Sequence, residues 1–194
     1  MADFAAEGFL ELLRPEDKID VVAADLHLGY YQAKTMAVRL KEDVIDPARE
    51  KGYRRIEIMG ISLGGLGGLI YALEYPGEID RLTLLAPFVG NEGTLKEIEN
   101  ADGLLKWEPG EIAEDDFERK LWNGLQGWRR SNEGIRPEIR IGVGEKDRHR
   151  ESNEVFGREV LGENPRLVPG GHDWECWRTL FRDYFRPESL TPNS

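Results

Sequence analysis

Arg55-Ile56-Glu57-Ile58-Met59 runs into Gly60-Ile61-Ser62-Leu63-Gly64, and that into Gly65-Leu66-Gly67-Gly68-Leu69-Ile70-Tyr71-Ala72-Leu73. The first block reads as a strand, the last as a helix, and a Gly-x-Ser-x-Gly turn joins them. A serine on so sharp a turn is lifted clear of the sheet edge. Its flanking glycines are expected where side chains would clash. The helix N-terminus behind it favours negative charge beside the serine. The stretch therefore predicts a nucleophile for acyl transfer; the plainer reading is a serine that only closes a tight turn.

Strands and helices alternate outward from this turn. Upstream, Phe4, Phe9, Leu10, Leu12 and Leu13 predict an amphipathic helix ended by Pro15. Ile19-Asp20-Val21-Val22-Ala23-Ala24 predicts a buried strand. A long helix is expected from about Ala33 to Lys51, kinked at Pro47 and stopped by Gly52. Downstream, Arg81 to Ala86, residues 137–144 and Arg166-Leu167-Val168 predict strands. Helices are expected over Ser152 to Leu161 and Asp173 to Phe185, before a frayed tail from Pro187.

Such alternation predicts an α/β three-layer sandwich, a mostly parallel sheet with helices on both faces. One domain is expected over residues 1–194. Within it, residues 91–136 are polar and strand-free and carry Trp107, Trp122 and Trp128. They read as a small helical lid insertion over the carboxyl edge of the sheet, where ligands of such sheets bind. Its tryptophans either line an apolar pocket or anchor the insertion to the core.

Composition narrows the partners. The chain has 194 residues, 40% of them hydrophobic, enough for one sizeable core. A net charge of -11 argues against nucleic-acid or anionic-membrane surfaces, which need Lys and Arg to neutralise phosphate. The lone Cys176 cannot form an internal disulfide. No apolar run approaches a membrane span, and the N-terminus does not read as a signal peptide, so a cytoplasmic location is expected. Gly60 to Gly68 contains neither Gly-x-Gly-x-x-Gly nor Gly-Lys-Ser/Thr, so no nucleotide cofactor is expected there. Oligomeric state is left open.

A serine hydroxyl needs a base, usually a histidine oriented by a carboxylate. Of three histidines, His172 lies in the glycine-rich loop Pro169-Gly170-Gly171-His172-Asp173-Trp174 after the last strand. Asp147 follows another strand in Gly144-Glu145-Lys146-Asp147-Arg148. With Ser62, Asp147 and His172 in this order, the chain resembles the α/β-hydrolase superfamily, specifically a small bacterial esterase-like serine hydrolase. The resemblance runs from Phe4 to Phe185. It implies Ser62 as nucleophile, His172 as general base and then acid, Asp147 as its orienter, and the Leu63 N–H as one oxyanion donor. It implies a small-molecule acyl ester as substrate and no cofactor. Trp174 beside the base, and His27 near the cleft mouth, are candidate substrate-binding residues. Asp147 could instead be a surface acid paired with Lys146 or Arg148, with Glu145 as substitute orienter. Asp173 reads as an N-cap for the last helix, and His149 as a solvent-facing loop residue.

Members of the superfamily carry a further strand and a His-Gly or Gly-x-Gly loop that gives a second oxyanion donor; here the helix begins almost at Met1. The expectation is an N-terminally truncated or degenerate member, with the Ile19–Ala24 and Arg55–Met59 strands either separated by a gap or paired directly. A hydrolase-fold binding protein that no longer catalyses is therefore the main rival. A second rival rests on Asp25-Leu26-His27-Leu28-Gly29, which is similar to the first metal motif of calcineurin-like metallophosphoesterases. No Gly-Asp-x-x-Asp follows it and no histidine follows His172, so the ligand inventory is too small. No metal site is expected.

Overall fold

Four short apolar strands form the centre of the chain: β1 (Glu57–Ile61), β2 (Arg81–Leu85), β3 (Glu138–Gly144) and β4 (Arg166–Val168). The computed structural model describes residues 2–13, 19–131 and 136–185. The strands pair in chain order, β1-β2-β3-β4, and every pair is parallel. In β1 and β2 the side chains alternate between two apolar layers. Ile58, Leu82 and Leu84 face one, Met59, Ile61 and Leu85 the other.

The first layer packs α3 (Met36–Leu40), α5 (Leu63–Glu74), α6 (Glu92–Asn100), α7 (Phe117–Arg130) and α8 (Arg150–Phe156) around Leu69, Tyr71, Trp122 and Phe156. The second packs α9 (Trp174–Phe185) and the N-terminal Phe9. Helices thus cover both faces of a parallel sheet. Gly142 makes the second layer close: a Cβ there would overlap Leu180 of α9.

Several local expectations change. The expected strand over Ile19–Ala24 does not form. Those residues have no regular structure and pair with no strand, and Ile19 and Val22 are 51% and 67% exposed. An apolar run becomes a strand only when a neighbour accepts its hydrogen bonds, and β1 pairs with β2 alone among the described strands. The first helix is split into α1 (Ala2–Ala6) and a 3-10 turn at Leu10–Leu12, because Gly8 between them adopts φ 76°. Its expected stop, Pro15, lies outside the described residues, as does the tail from Pro187.

The long helix is preceded by a separate α2 (Leu28–Gln32), and Lys34 at φ 54° marks the break. From Met36 the chain stays helical to Glu50 through a π turn, Lys41–Ile45, and then α4 (Asp46–Glu50). Pro47 follows the π turn directly, in the first turn of α4. Gly52, at φ 92°, ends it as expected.

Within residues 91–131, Trp107 and Trp122 are buried in the first layer. The Trp122 indole N–H donates to the Val89 carbonyl at 2.8 Å. Gln126 of α7 donates to the carbonyls of Leu104 and Trp107, at 2.5 and 2.7 Å. These two tryptophans anchor the segment, and Trp128 packs against the same layer.

Candidate active site

Ser62 stands between the end of β1 and the start of α5, with φ 51° and ψ -113°. A non-glycine residue there carries strain of about 1–3 kcal/mol, which the surroundings must offset. They do so through backbone hydrogen bonds. The Ser62 N–H donates to Leu85 O at 3.0 Å, and the Ser62 carbonyl accepts from the N–H groups of Gly65, Leu66 and Phe88.

Glycines are needed on this turn, but not in the pattern the motif suggests. A Cβ on Gly60 would overlap the Gly64 carbonyl, and one on Gly65 would lie 2.6 Å from Pro87 Cβ. At Gly64 a Cβ would meet open space. The clash expected at Gly64 therefore belongs to Gly65.

His172 and Asp147 reach Ser62 from the ends of β4 and β3. Past β3, Glu145 N–H donates to Val168 O and Lys146 N–H to Gly170 O, both at 2.9 Å, so the two loops stay laced together beyond the sheet. Gly144 permits this approach: a Cβ there would lie 2.6 Å from Gly170 O and 2.7 Å from Gly171 O. His172 Nδ1 then lies 2.8 Å from Asp147 Oδ2, and His172 Nε2 lies 2.9 Å from Ser62 Oγ.

A carboxylate only accepts, so the imidazole carries its proton on Nδ1 and leaves Nε2 to accept the serine hydroxyl. The Asp147 side chain is 0% exposed and that of His172 is 14% exposed. Asp147 is thus no surface acid paired with Lys146 or Arg148. Its second oxygen, Oδ1, accepts the His149 backbone N–H at 2.7 Å. Asp173 caps α9 as expected, accepting the Cys176 N–H at 2.9 Å. That bond, and a second from Gly171, hold its carboxyl below the usual range. Cys176 is buried, which pushes its thiol up to about 11.

The flanks of His172 differ from expectation. Trp177, one helical turn beyond Trp174, meets His172 edge to face with ring centroids 5.0 Å apart. Trp174 instead packs on Phe9 and Trp177 in the second layer. His149 is not a solvent-facing residue. It is half-buried, with its ring 5.0 Å from that of His172 and 5.6 Å from Phe88. Burial and the neighbouring His172 hold it below the ordinary histidine range. Its place two residues after Asp147 is the only sequence signal that it shares this loop.

His27 is exposed and caps α2, its Nδ1 accepting the Gly29 N–H at 3.1 Å. No hydrogen bond or ring contact joins it to Ser62 or His172; its ring meets Tyr30. The residue from this region that does touch the serine turn is Tyr31, whose hydroxyl donates to Leu63 O at 3.0 Å. Burial raises its phenol to about 12. Asp25 is exposed, and among the described residues no group of three or more His, Cys, Asp or Glu is placed to hold a metal. Leu63 begins α5, and the first N–H groups of a helix have no partner within it. No helix among the described residues is long and apolar enough to cross a membrane.

A parallel sheet flanked by helices, with this serine turn at the carboxyl end of its first strand, defines an α/β-hydrolase-like chain. The model of the Esterase family matches residues 42–186, and the chain belongs to that family. Among curated proteins no match is found. Among solved structures it is similar to the S-formylglutathione hydrolase of Staphylococcus aureus, at 16% identity and TM-score 0.50, over 79% of this chain and 62% of that one. It is also similar to a "predicted CIB-like hydrolase" from Thermoplasma acidophilum, at 19% identity and TM-score 0.49, over 85% and 66%. A ferulic acid esterase matches at 18% identity and TM-score 0.48, over 76% and 58%. The chain thus spans about three fifths to two thirds of these proteins' length. At such identities the likeness concerns the fold.

Proposed function

We propose that the chain is a serine hydrolase that cleaves a small carboxylic ester through an acyl-enzyme on Ser62. The observation that carries this reading is the unbroken chain of short hydrogen bonds from Ser62 Oγ through His172 to the buried Asp147. As Ser62 Oγ attacks the ester carbonyl carbon, its proton passes to His172 Nε2. Asp147 Oδ2, accepting from Nδ1, stabilises the imidazolium. The carbonyl oxygen gains negative charge beside the start of α5, where the Leu63 N–H donates to it and the helix dipole assists. Collapse of the tetrahedral intermediate breaks the bond to the alcohol oxygen, which leaves with the proton from Nε2. A water molecule then gives its proton to Nε2, attacks the acyl carbon, and frees the acid and Ser62.

Labelling with a fluorophosphonate probe tests this directly. Stoichiometric labelling of the chain and none of Ser62→Ala is expected, together with turnover of short-chain esters. A chain that folds but neither labels nor hydrolyses any ester would overturn the proposal.

A further inference from the structure

Three rings near the serine have no part in the chemistry above. Phe88 follows β2, and its backbone N–H is the one bonded to the Ser62 carbonyl at 3.0 Å. Its ring meets His149 edge-on at 5.6 Å on one side and lies 6.3 Å from Phe117, the first residue of α7, on the other. His149 in turn meets His172. The four rings therefore form a continuous row that starts at the half-buried base and ends at Phe117, which is 45% exposed. Arg148 Nε donates to His149 Nε2 at 3.2 Å, so the imidazole in this row is held in one orientation.

Tyr31 also touches the serine turn, through its hydrogen bond to the Leu63 carbonyl. Three residues on, Lys34 reaches the Glu114 carbonyl at 3.3 Å and its carboxylate at 3.5 Å, shortly before Phe117. Tyr31 and Lys34 thus tie α2 and the residues just after it to the serine turn and to the segment that precedes Phe117. Trp107 and Trp122 are buried in the core, whereas Phe88 is only partly buried against it and the row continues outward to the exposed Phe117.

We propose that the row His149–Phe88–Phe117 is the wall on which the substrate lies, and that the group it holds is an aromatic ring next to the scissile ester. This rests on Ser62 being the nucleophile, which places the ester carbonyl at the inner end of the row. A substrate ring extends the row in the same edge-to-face or offset manner. An alkyl chain of equal carbon count gains no quadrupole contact and loses more rotor freedom on binding.

The test compares esters matched in carbon count: methyl 3-phenylpropanoate with methyl nonanoate, for a ring on the acyl side, and benzyl acetate with heptyl acetate, for a ring on the alcohol side. The expected kcat/KM favours the ring in one pair by about tenfold, and Phe88→Leu, which keeps apolar volume but not the ring, removes most of that ratio. Equal rates within both pairs, or a ratio unchanged by Phe88→Leu, would overturn the wall. The same four esters are titrated calorimetrically into Ser62→Ala. Ring-selective binding there, with no labelling or turnover by the intact chain, leaves the wall standing and removes the nucleophile. Labelling and turnover without ring preference does the reverse.

Discussion

Gly144→Ala separates the geometry of the Ser62–His172–Asp147 array from the stability of the fold. The added Cβ would sit 2.6 Å from Gly170 O and 2.7 Å from Gly171 O. Both are backbone atoms, so no flexible side chain can give way. Moving the 170 loop back to an ordinary 3.4 Å contact needs about 0.8 Å, and His172 follows Gly171 directly. A shift of that size takes bonds of 2.8 and 2.9 Å past 3.5 Å, the limit of a useful hydrogen bond. Misplacement by about 1 Å costs roughly a hundredfold in rate, whereas overpacking of this kind costs about 1–3 kcal/mol of stability. The assay is kcat on a short-chain ester beside the rate of fluorophosphonate labelling, with thermal unfolding as the control. Both rates should fall by about two orders of magnitude in a protein that still folds. A folded Gly144→Ala that labels and hydrolyses at full rate would refute the account of how the two loops present His172.

Other expectations are simpler. Gly64→Ala, with open space at an exposed first-turn position of α5, should raise unfolding stability by about 0.5–1 kcal/mol in a denaturant titration, despite altering the Gly-x-Ser-x-Gly pattern. Asp147→Asn should leave the melting curve close to native and reduce kcat by up to about 10⁴, through the wrong imidazole tautomer. Asp173→Ala should cost about 1 kcal/mol, as the loss of an N-cap for α9. His149 binds its proton less readily folded than unfolded. It therefore stabilises the chain above the ordinary histidine pKa of about 6.5, and that stability is lost as pH falls through the folded value. His149→Phe should flatten this acidic slope in denaturant titrations run across pH 5–8, and an unchanged slope would contradict the assignment.

The strands that line the core were legible because parallel strands buried on both faces are near-continuous apolar runs. Arg81–Leu85 and Arg166–Val168 fall where the sequence puts them. Ile19–Ala24 has the same composition and fails for a reason no local pattern carries, the absence of a paired neighbour among the described strands. Ser62, Asp147 and His172 could be picked out because each sits in a turn just past a strand end, and the structure brings Ser62 and Asp147 each within hydrogen-bond distance of His172. Their surroundings were not legible. Whether Trp174 or Trp177 meets His172 depends on the phase of α9, and whether Gly64 or Gly65 is crowded depends on Pro87, in a different loop.

The hydrogen bond from Phe88 N–H to the Ser62 carbonyl has a practical consequence. It welds the segment after β2 to the strained serine peptide, so the proposed wall ring and the proposed nucleophile belong to one rigid unit. Redesigning that segment to admit bulkier esters would then retune reactivity together with selectivity. Side-chain exchanges at Phe117, which shares no backbone bond with the serine, are the cleaner route to altered specificity.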